Sequence, residues 1–252
     1  MTTSPRLYLE RSEKLYDVIH IADAEGMPAS AGGLGSLRED YLLTVEAVQA
    51  ALARLTPIGL ITVTRGLQTP PRDNIRLFAL LAEAVRRVDG TAATRLLQAR
   101  NYLAATTILA ARPVGAARIA DFRAASAALS MDADYFPGIL PADLTRRNVV
   151  SGGDGAGSYY YQAATSIAAG DGAAFSSAWV YDISPPTDNR PYFHNFFRLS
   201  SLPEYIAAYG NRWFRRLELG YVVVAATLLI VLVLGLVFIV IPALVTRRRL
   251  SR

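Results

Sequence analysis

From Gly220 to Val245 the chain reads GYVVVAATLLIVLVLGLVFIVIPALV, 26 residues without a charge. A helix rises about 1.5 Å per residue and needs roughly 20 residues to cross the hydrocarbon of a bilayer. A run this long and uniformly apolar predicts one transmembrane helix. Gly235 and Pro242 are compatible with it, since spanning helices tolerate both, and Trp213, Phe214 and Tyr221 suit an interfacial aromatic belt.

That segment also explains the charge. The chain carries a formal +5, but Met1 to Phe197 holds 18 basic and 19 acidic residues, whereas Arg198 to Arg252 holds eight arginines against Glu204 and Glu218. Basic residues beside a span are expected from bilayer electrostatics, so the excess argues for the lipid bilayer as a partner and against nucleic acid. The N-terminus, MTTSPRLYLERSEK, is polar and charged and does not read as a signal peptide. Arg212, Arg215 and Arg216 precede the span and Arg247, Arg248, Arg249 and Arg252 follow it, a nearly balanced count. The expected location is the cell inner membrane, with the globular part cytoplasmic. The chain has no cysteine, which excludes disulfides, thiolate metal sites and a cysteine nucleophile.

Ahead of the span the pattern alternates strand and helix. The stretch Tyr16 to Gly26, YDVIHIADAEG, is an apolar run breaking into two acids and a glycine, as in a buried strand of a parallel sheet that ends at a ligand crevice. Glu39 to Leu55 places Tyr41, Leu42, Val45, Val48, Leu52 and Leu55 at helical spacing, and Gly59 to Thr64 reads as a second parallel strand. TPPRD then opens a helix with Ile75, Phe78, Leu81, Val85 and Val88 as its stripe. Arg95 to Ala99 and Tyr102 to Ala111 are expected to pair as an antiparallel hairpin at the sheet edge, followed by a third helix marked by Ile119, Phe122, Ser126 and Leu129. The glycines at 32, 33 and 35 and the run SGGDGAGS (151–158) lack the strand-to-helix spacing of a phosphate cradle. Only His20 and His194 are histidines and nothing pairs them by spacing, so no metal site is expected.

YDVIHIADAEG, LREDYLLTVEAVQAALARLTPIGLITVT, TPPRDNIRLFA and PPTDNRPYFHNFF together resemble the second half of a spermidine synthase domain, a class I S-adenosylmethionine-binding, Rossmann-like fold. More closely, they resemble bacterial membrane proteins that join such a domain to transmembrane helices. The resemblance implies an aminopropyltransferase, or a methyltransferase on the same fold, using S-adenosylmethionine or its decarboxylated form and a small amine substrate. In that family two carboxylates after the strand hold the amine and free its nitrogen of a proton, because a protonated amine is no nucleophile. Aligned on YDVI, the first acidic position is occupied here by Ala22 and the second by Glu25, with Asp23 one residue late. Asp23 and Glu25 are thus the candidate catalytic groups. Tyr41 matches a family tyrosine near the amine, and Asp188 and Arg190 are candidate substrate contacts on a segment that would wall the crevice. The plainer alternatives are solvated acids at 23 and 25, a packing role for Tyr41, and an internal Asp188–Arg190 pair. His20, mid-strand, is expected to be a hydrogen-bonded core histidine.

The fold class expected is α/β: a partial Rossmann-like (class I methyltransferase-like) sheet with flanking helices, followed by one C-terminal transmembrane helix. The segments are 1–139, the second half of the Rossmann-like domain; 140–219, a helical and loop extension; 220–245, the span; and 246–252, a basic tail. In this fold the cofactor is held mainly by the first two strands. Only 15 residues precede Tyr16, fewer than one βα crossover takes. The expectation is a fragment that leaves an unpaired apolar strand edge, is inactive alone, and needs an upstream chain or segment to supply the other half. A non-catalytic, degenerate Rossmann-like scaffold or ligand sensor is the alternative.

Overall fold

The structure, a computed structural model, describes residues 4–22, 38–68, 70–148, 158–209 and 219–243. The first helix, α1 (Pro5–Arg11), leads into β1 (Tyr16–Ile21), and helix α2 (Val45–Leu52) joins β1 to β2 (Leu55–Gly66). The two strands are parallel, in register from Val18 opposite Leu60 to Ile21 opposite Val63. The helix between them starts later than its periodicity predicts. Asp40 accepts the amides of Leu42 and Leu43, turning the chain, and Thr44 caps the first turn by accepting the Ala47 amide at 3.2 Å. Tyr41 therefore lies in the turn ahead of the helix.

Along β2 alternate residues are buried: Gly59, Ile61, Val63 and Arg65. Helix α3 (Asp73–Val88) follows, with the expected Ile75, Phe78, Leu81 and Val85 buried. Leu77, Leu80, Ala82 and Ala84 are buried too, because α2 and helix α6 (Tyr159–Ala169) both pack against α3. The helix is the axis of the core, enclosed on more of its circumference than its sequence stripe marks.

A short helix α4 (Ala92–Arg95) precedes the hairpin of β3 (Leu96–Arg100) and β4 (Ala104–Ala110), and helix α5 (Ala116–Ala128) follows it. The hairpin is antiparallel as expected, but it is not at the edge. Strand β4 pairs antiparallel with β2 from Leu60–Ala110 to Gly66–Ala104, and β3 carries a further antiparallel strand, β5 (Asp132–Tyr135), that the sequence pattern did not announce. The order β1-β2-β4-β3-β5 is thus a mixed sheet. Strand β3 is buried throughout and β4 alternates half-buried with buried positions, but the alanine, threonine, isoleucine and leucine side chains of AATTILA do not tell an interior strand from an edge.

Beyond α6, helix α7 (Gly172–Ala178) and a strap, 179–198, return across the domain, and Tyr160, Ala163, Ile167, Tyr181, Ile183, Phe193 and Phe196 join the same hydrophobic core as α2, α3 and the sheet. The chain then continues through α8 (Leu202–Tyr209) to α9 (Leu219–Gly235), which runs on through a π-helical turn at Leu236–Val240. Within it Val224–Ala243 is 20 residues of mean hydropathy 3.3, long and apolar enough to cross a membrane, and its side chains are not buried in the domain.

Strand β1 is the outermost of the described strands, as an unpaired edge requires, but its faces are not covered as expected: Val18 is 56% exposed and His20 is exposed, donating to or accepting from the Thr62 hydroxyl at 2.7 Å instead of being packed in a core. On the same face of the sheet Leu60, Thr62, Thr64, Thr106 and Ile108 are only half-buried, whereas Leu97, Ala99 and Ala133 further along are buried.

Candidate functional site at the carboxyl edge of the sheet

The carboxyl ends of β1, β2 and β3 lie on one edge of the sheet, since Gly66 pairs with Ala104 and Arg100 with Ala105 and Asp132. In open α/β sheets ligands bind beyond this edge. Here it is roofed by the strap. Trp179 Nε1 donates to the Pro71 carbonyl (3.1 Å), the Val45 amide to the Pro186 carbonyl (2.9 Å) and the Asp40 amide to the Pro191 carbonyl (2.7 Å). Arg76, buried on α3, donates to the carbonyls of Phe193 (2.7 Å) and Tyr192 (3.2 Å), lies 4.5 Å above the Phe196 ring and is 3.5 Å from Asp182. Arg65 stacks on Phe193 and Arg72 on Tyr181 and Phe196 at 5.0–5.4 Å. The segment PPTDNRPYFHNFF thus packs across the starts of α2 and α3.

Within that segment Asp188 and Arg190 do not pair with each other. Asp188 takes a two-pronged bond from Arg6 (2.7 and 2.6 Å) and one from the Thr44 hydroxyl (2.8 Å), while its own amide donates to Glu46 (3.0 Å). The Arg6 guanidinium holds the Asp188 carboxyl below its usual range. Arg190 donates instead to Asp182 at 2.9 Å. Burial pushes the Asp182 carboxyl up, but Arg76, Ser184 and Arg190 hold it below its usual range. Tyr41 is exposed; its carbonyl accepts from Arg6 at 3.2 Å, and a hydrogen bond with Glu39 pushes its phenol up. Arg6 therefore brings Tyr41 and Asp188 to one place, and Arg190 sits at another. Asp23 and Glu25 lie outside the described residues.

A second polar group at this edge carries no sequence motif. Arg100 at the end of β3 faces two carboxylates of β5: its Nε is 2.9 Å from Asp134 Oδ2 and 3.1 Å from Oδ1, and its Nη2 is 3.8 Å from Asp132. Asp132 also accepts the Thr145 hydroxyl (2.7 Å) and the amides of Arg147 (3.0 Å) and Asn148 (2.7 Å). The register slips between Gln98 and Ala99, so that Asp134 is the extra residue of a β-bulge, the device that re-aims a side chain. Burial pushes the Asp134 carboxyl up to about 6, against the opposing pull of Arg100 and the Ser158 hydroxyl. Tyr160, at the start of α6, lies beneath Arg100 (5.4 Å to its ring) with Asp134, Asp73 and Asn74 as polar neighbours, and burial pushes its phenol up. The one trace of this cluster in the sequence is DADY, 132–135, two acids in an otherwise apolar context. Among the described residues no group of three or more His, Cys, Asp or Glu is placed to hold a metal ion.

The chain matches no family model and no curated protein sequence.

Proposed function

We propose that this chain is the second half of a spermidine synthase-like, S-adenosylmethionine-dependent transferase domain of Rossmann-like class, attached to the cell inner membrane with its globular part cytoplasmic. The observation that carries the reading is β1. It runs parallel to β2 through a helical crossover, a pairing found with both faces covered, yet among the described residues no strand pairs with its outer edge, and Val18 and Leu15 beside it are exposed. A further polypeptide segment that adds strands to this edge would bury them and complete a crevice whose far wall is the strap.

S-adenosylmethionine, or its decarboxylated form, would supply the electrophilic carbon bound to sulfonium. The described residues do not by themselves fit that cofactor: β1 is outermost, and the glycine turn and ribose-binding acid that the resemblance assigns to strands beyond it are not among them. Alone, the chain is inactive in this reading. A non-catalytic module is the second reading, favoured by Ala22 at the first acidic position and by the engagement of Asp188 with Arg6 and Thr44.

The test is cross-linking from native membranes through a photoreactive residue at Val18, followed by transfer assays with radiolabelled decarboxylated S-adenosylmethionine or S-adenosylmethionine. Label should move to an amine only when the captured polypeptide is present, and the donor that works tells aminopropyl from methyl transfer. Transfer by the chain alone overturns the split-domain reading, and binding of neither donor to the assembled pair leaves the non-catalytic module.

A further inference from the structure

A cleft of about 740 Å³ opens between α3, α6, α7 and the strap, beside the second to fourth turns of α3 and away from the roofed start of that helix. That is room for a small organic molecule. Its floor is apolar, with Ala79, Ile167 and Ile183 buried there. Its rim is polar and short of negative charge. Among the described residues that line it the one carboxylate is Glu83, and Arg86 at 2.7 Å and Arg87 at 2.9 Å already engage it. Arg86 donates in addition to the Ile167 carbonyl near the end of α6 (3.0 Å).

Arg198, half-buried at the end of the strap, lines the same cleft, and among the described residues no acid pairs with it. Its Nη1 donates to the Ser176 carbonyl (2.8 Å) and its Nη2 to the Ser176 hydroxyl (3.2 Å), so the end of the guanidinium closes the last turn of α7. The other edge, Nε with Nη2, is a fork that matches two oxygens of a phosphate, and Nε meets no acceptor among the described residues. Two hydroxyls stand beside it. Ser176 accepts from Arg198 and donates to no described residue, and Ser200, exposed in the short turn Leu199–Ser201 ahead of α8, has no described partner. Donors from three segments thus border one cleft, with no acid left to answer them. An ionised phosphate brings three acceptor oxygens to such a set, and a planar carboxylate only two.

We propose that this cleft binds a phosphate ester, with the phosphate against Arg198, Ser176 and Ser200 and the carbon skeleton on Ala79, Ile167 and Ile183. A bare phosphate would leave the apolar floor unused. A soluble phosphate ester and the headgroup of a glycerophospholipid offer the same chemistry. The site lies apart from the carboxyl edge of the sheet and does not depend on the transferase reading.

The experiment is calorimetric titration of the full chain in non-ionic detergent micelles, with glycerol 3-phosphate and separately with dioctanoylphosphatidylglycerol. At least one should bind the natural chain: glycerol 3-phosphate if a soluble ester is enough, the phospholipid alone if the source is the bilayer. Arg198→Lys keeps the charge but loses the fork, and should weaken binding by about tenfold. Ser200→Glu sets a carboxylate against the phosphate at a position that makes no hydrogen bond, and should weaken binding at least as much with the unliganded melting temperature unchanged. Arg112→Gln, exposed between β4 and α5, should bind as the natural chain does. If Arg198→Lys loosens α7 and melts early, Ser200→Glu decides. Binding of neither ester, undiminished binding by Ser200→Glu, or equal binding of dioctanoylglycerol, which has no phosphate, would each overturn the proposal.

Discussion

The two outer strands of the sheet are finished in opposite ways. Strand β5 is four residues long and wholly buried: α5 and α6 both pack against it, and the loop at 145–148 returns to donate to Asp132. Strand β1 is six residues long with exposed positions at Asp17, Val18 and His20, and among the described residues its outer hydrogen-bonding groups meet no strand. An outer strand is a template for another chain unless it is covered, twisted away or charged. One end of this sheet is closed by a buried polar network of the chain itself; at the other, among the described residues, β1 carries Asp17, bonded to Thr56, and His20, bonded to Thr62.

The largest expected effect lies at the closed end. Arg100→Met leaves Asp132 and Asp134 buried without their cation and should cost about 3–5 kcal/mol of stability, read by urea unfolding in detergent. A loss below about 1 kcal/mol would show that the helices, and not the network, close this edge.

The pH dependence should divide the two polar groups next. Asp134 is raised from 3.8 to about 6, so its contribution is fully present below about 4 and is lost as pH rises through 6, a fall of about 3 kcal/mol. Asp188 and Asp182 are lowered, so theirs is present above about 4 and lost on acidification. Asp134→Asn should abolish the fall between pH 4 and 6 while leaving the acid limb in place; an unchanged profile assigns the fall elsewhere.

At the open end, a Cβ on Gly59 would stand 2.8 Å from the Tyr16 carbonyl oxygen and 3.0 Å from Leu55 Cβ, pressing β1 away from β2. Gly59→Ala should cost about 1–3 kcal/mol and speed amide exchange in β1 while β3 stays protected. Asp188→Asn, which removes one charge from a partly exposed pair, should cost about 1 kcal/mol and loosen the strap to limited proteolysis. Smallest of all, Val18→Thr should change the stability of the chain alone by less than about 0.5 kcal/mol, yet reduce capture of a polypeptide at β1. Equal capture by both forms would remove the argument for a partner there.

Much of this organisation was legible in the residues. The long apolar helix, the β1–α2–β2 crossover, the stripe of α3 and the β3–β4 hairpin each follow from a local period that one element satisfies by itself. The strap's hold on the domain was legible as a dense cluster of prolines, aromatics and charges at PPTDNRPYFHNFF. Its pairings were not, because Asp188 meets Arg6 across 182 positions of sequence, and nothing local distinguishes that arginine from the nearer Arg190. Arg100, Asp134, Tyr160, Asp73 and Asn74 went unread for a similar reason: they come from four elements, and one of them is aimed by a bulge.

By itself, then, the amino-acid order determined which stretches turn their apolar side chains to one face and which stretch is apolar all round, since those depend on the helical and extended periods of the backbone. Only the tertiary structure decided which strand neighbours which, that β4 lies inside the sheet and β1 at its rim, and which arginine neutralises which acid. Periodicity records that a side chain is buried, whereas the identity of its neighbour is chosen by packing among segments far apart along the chain.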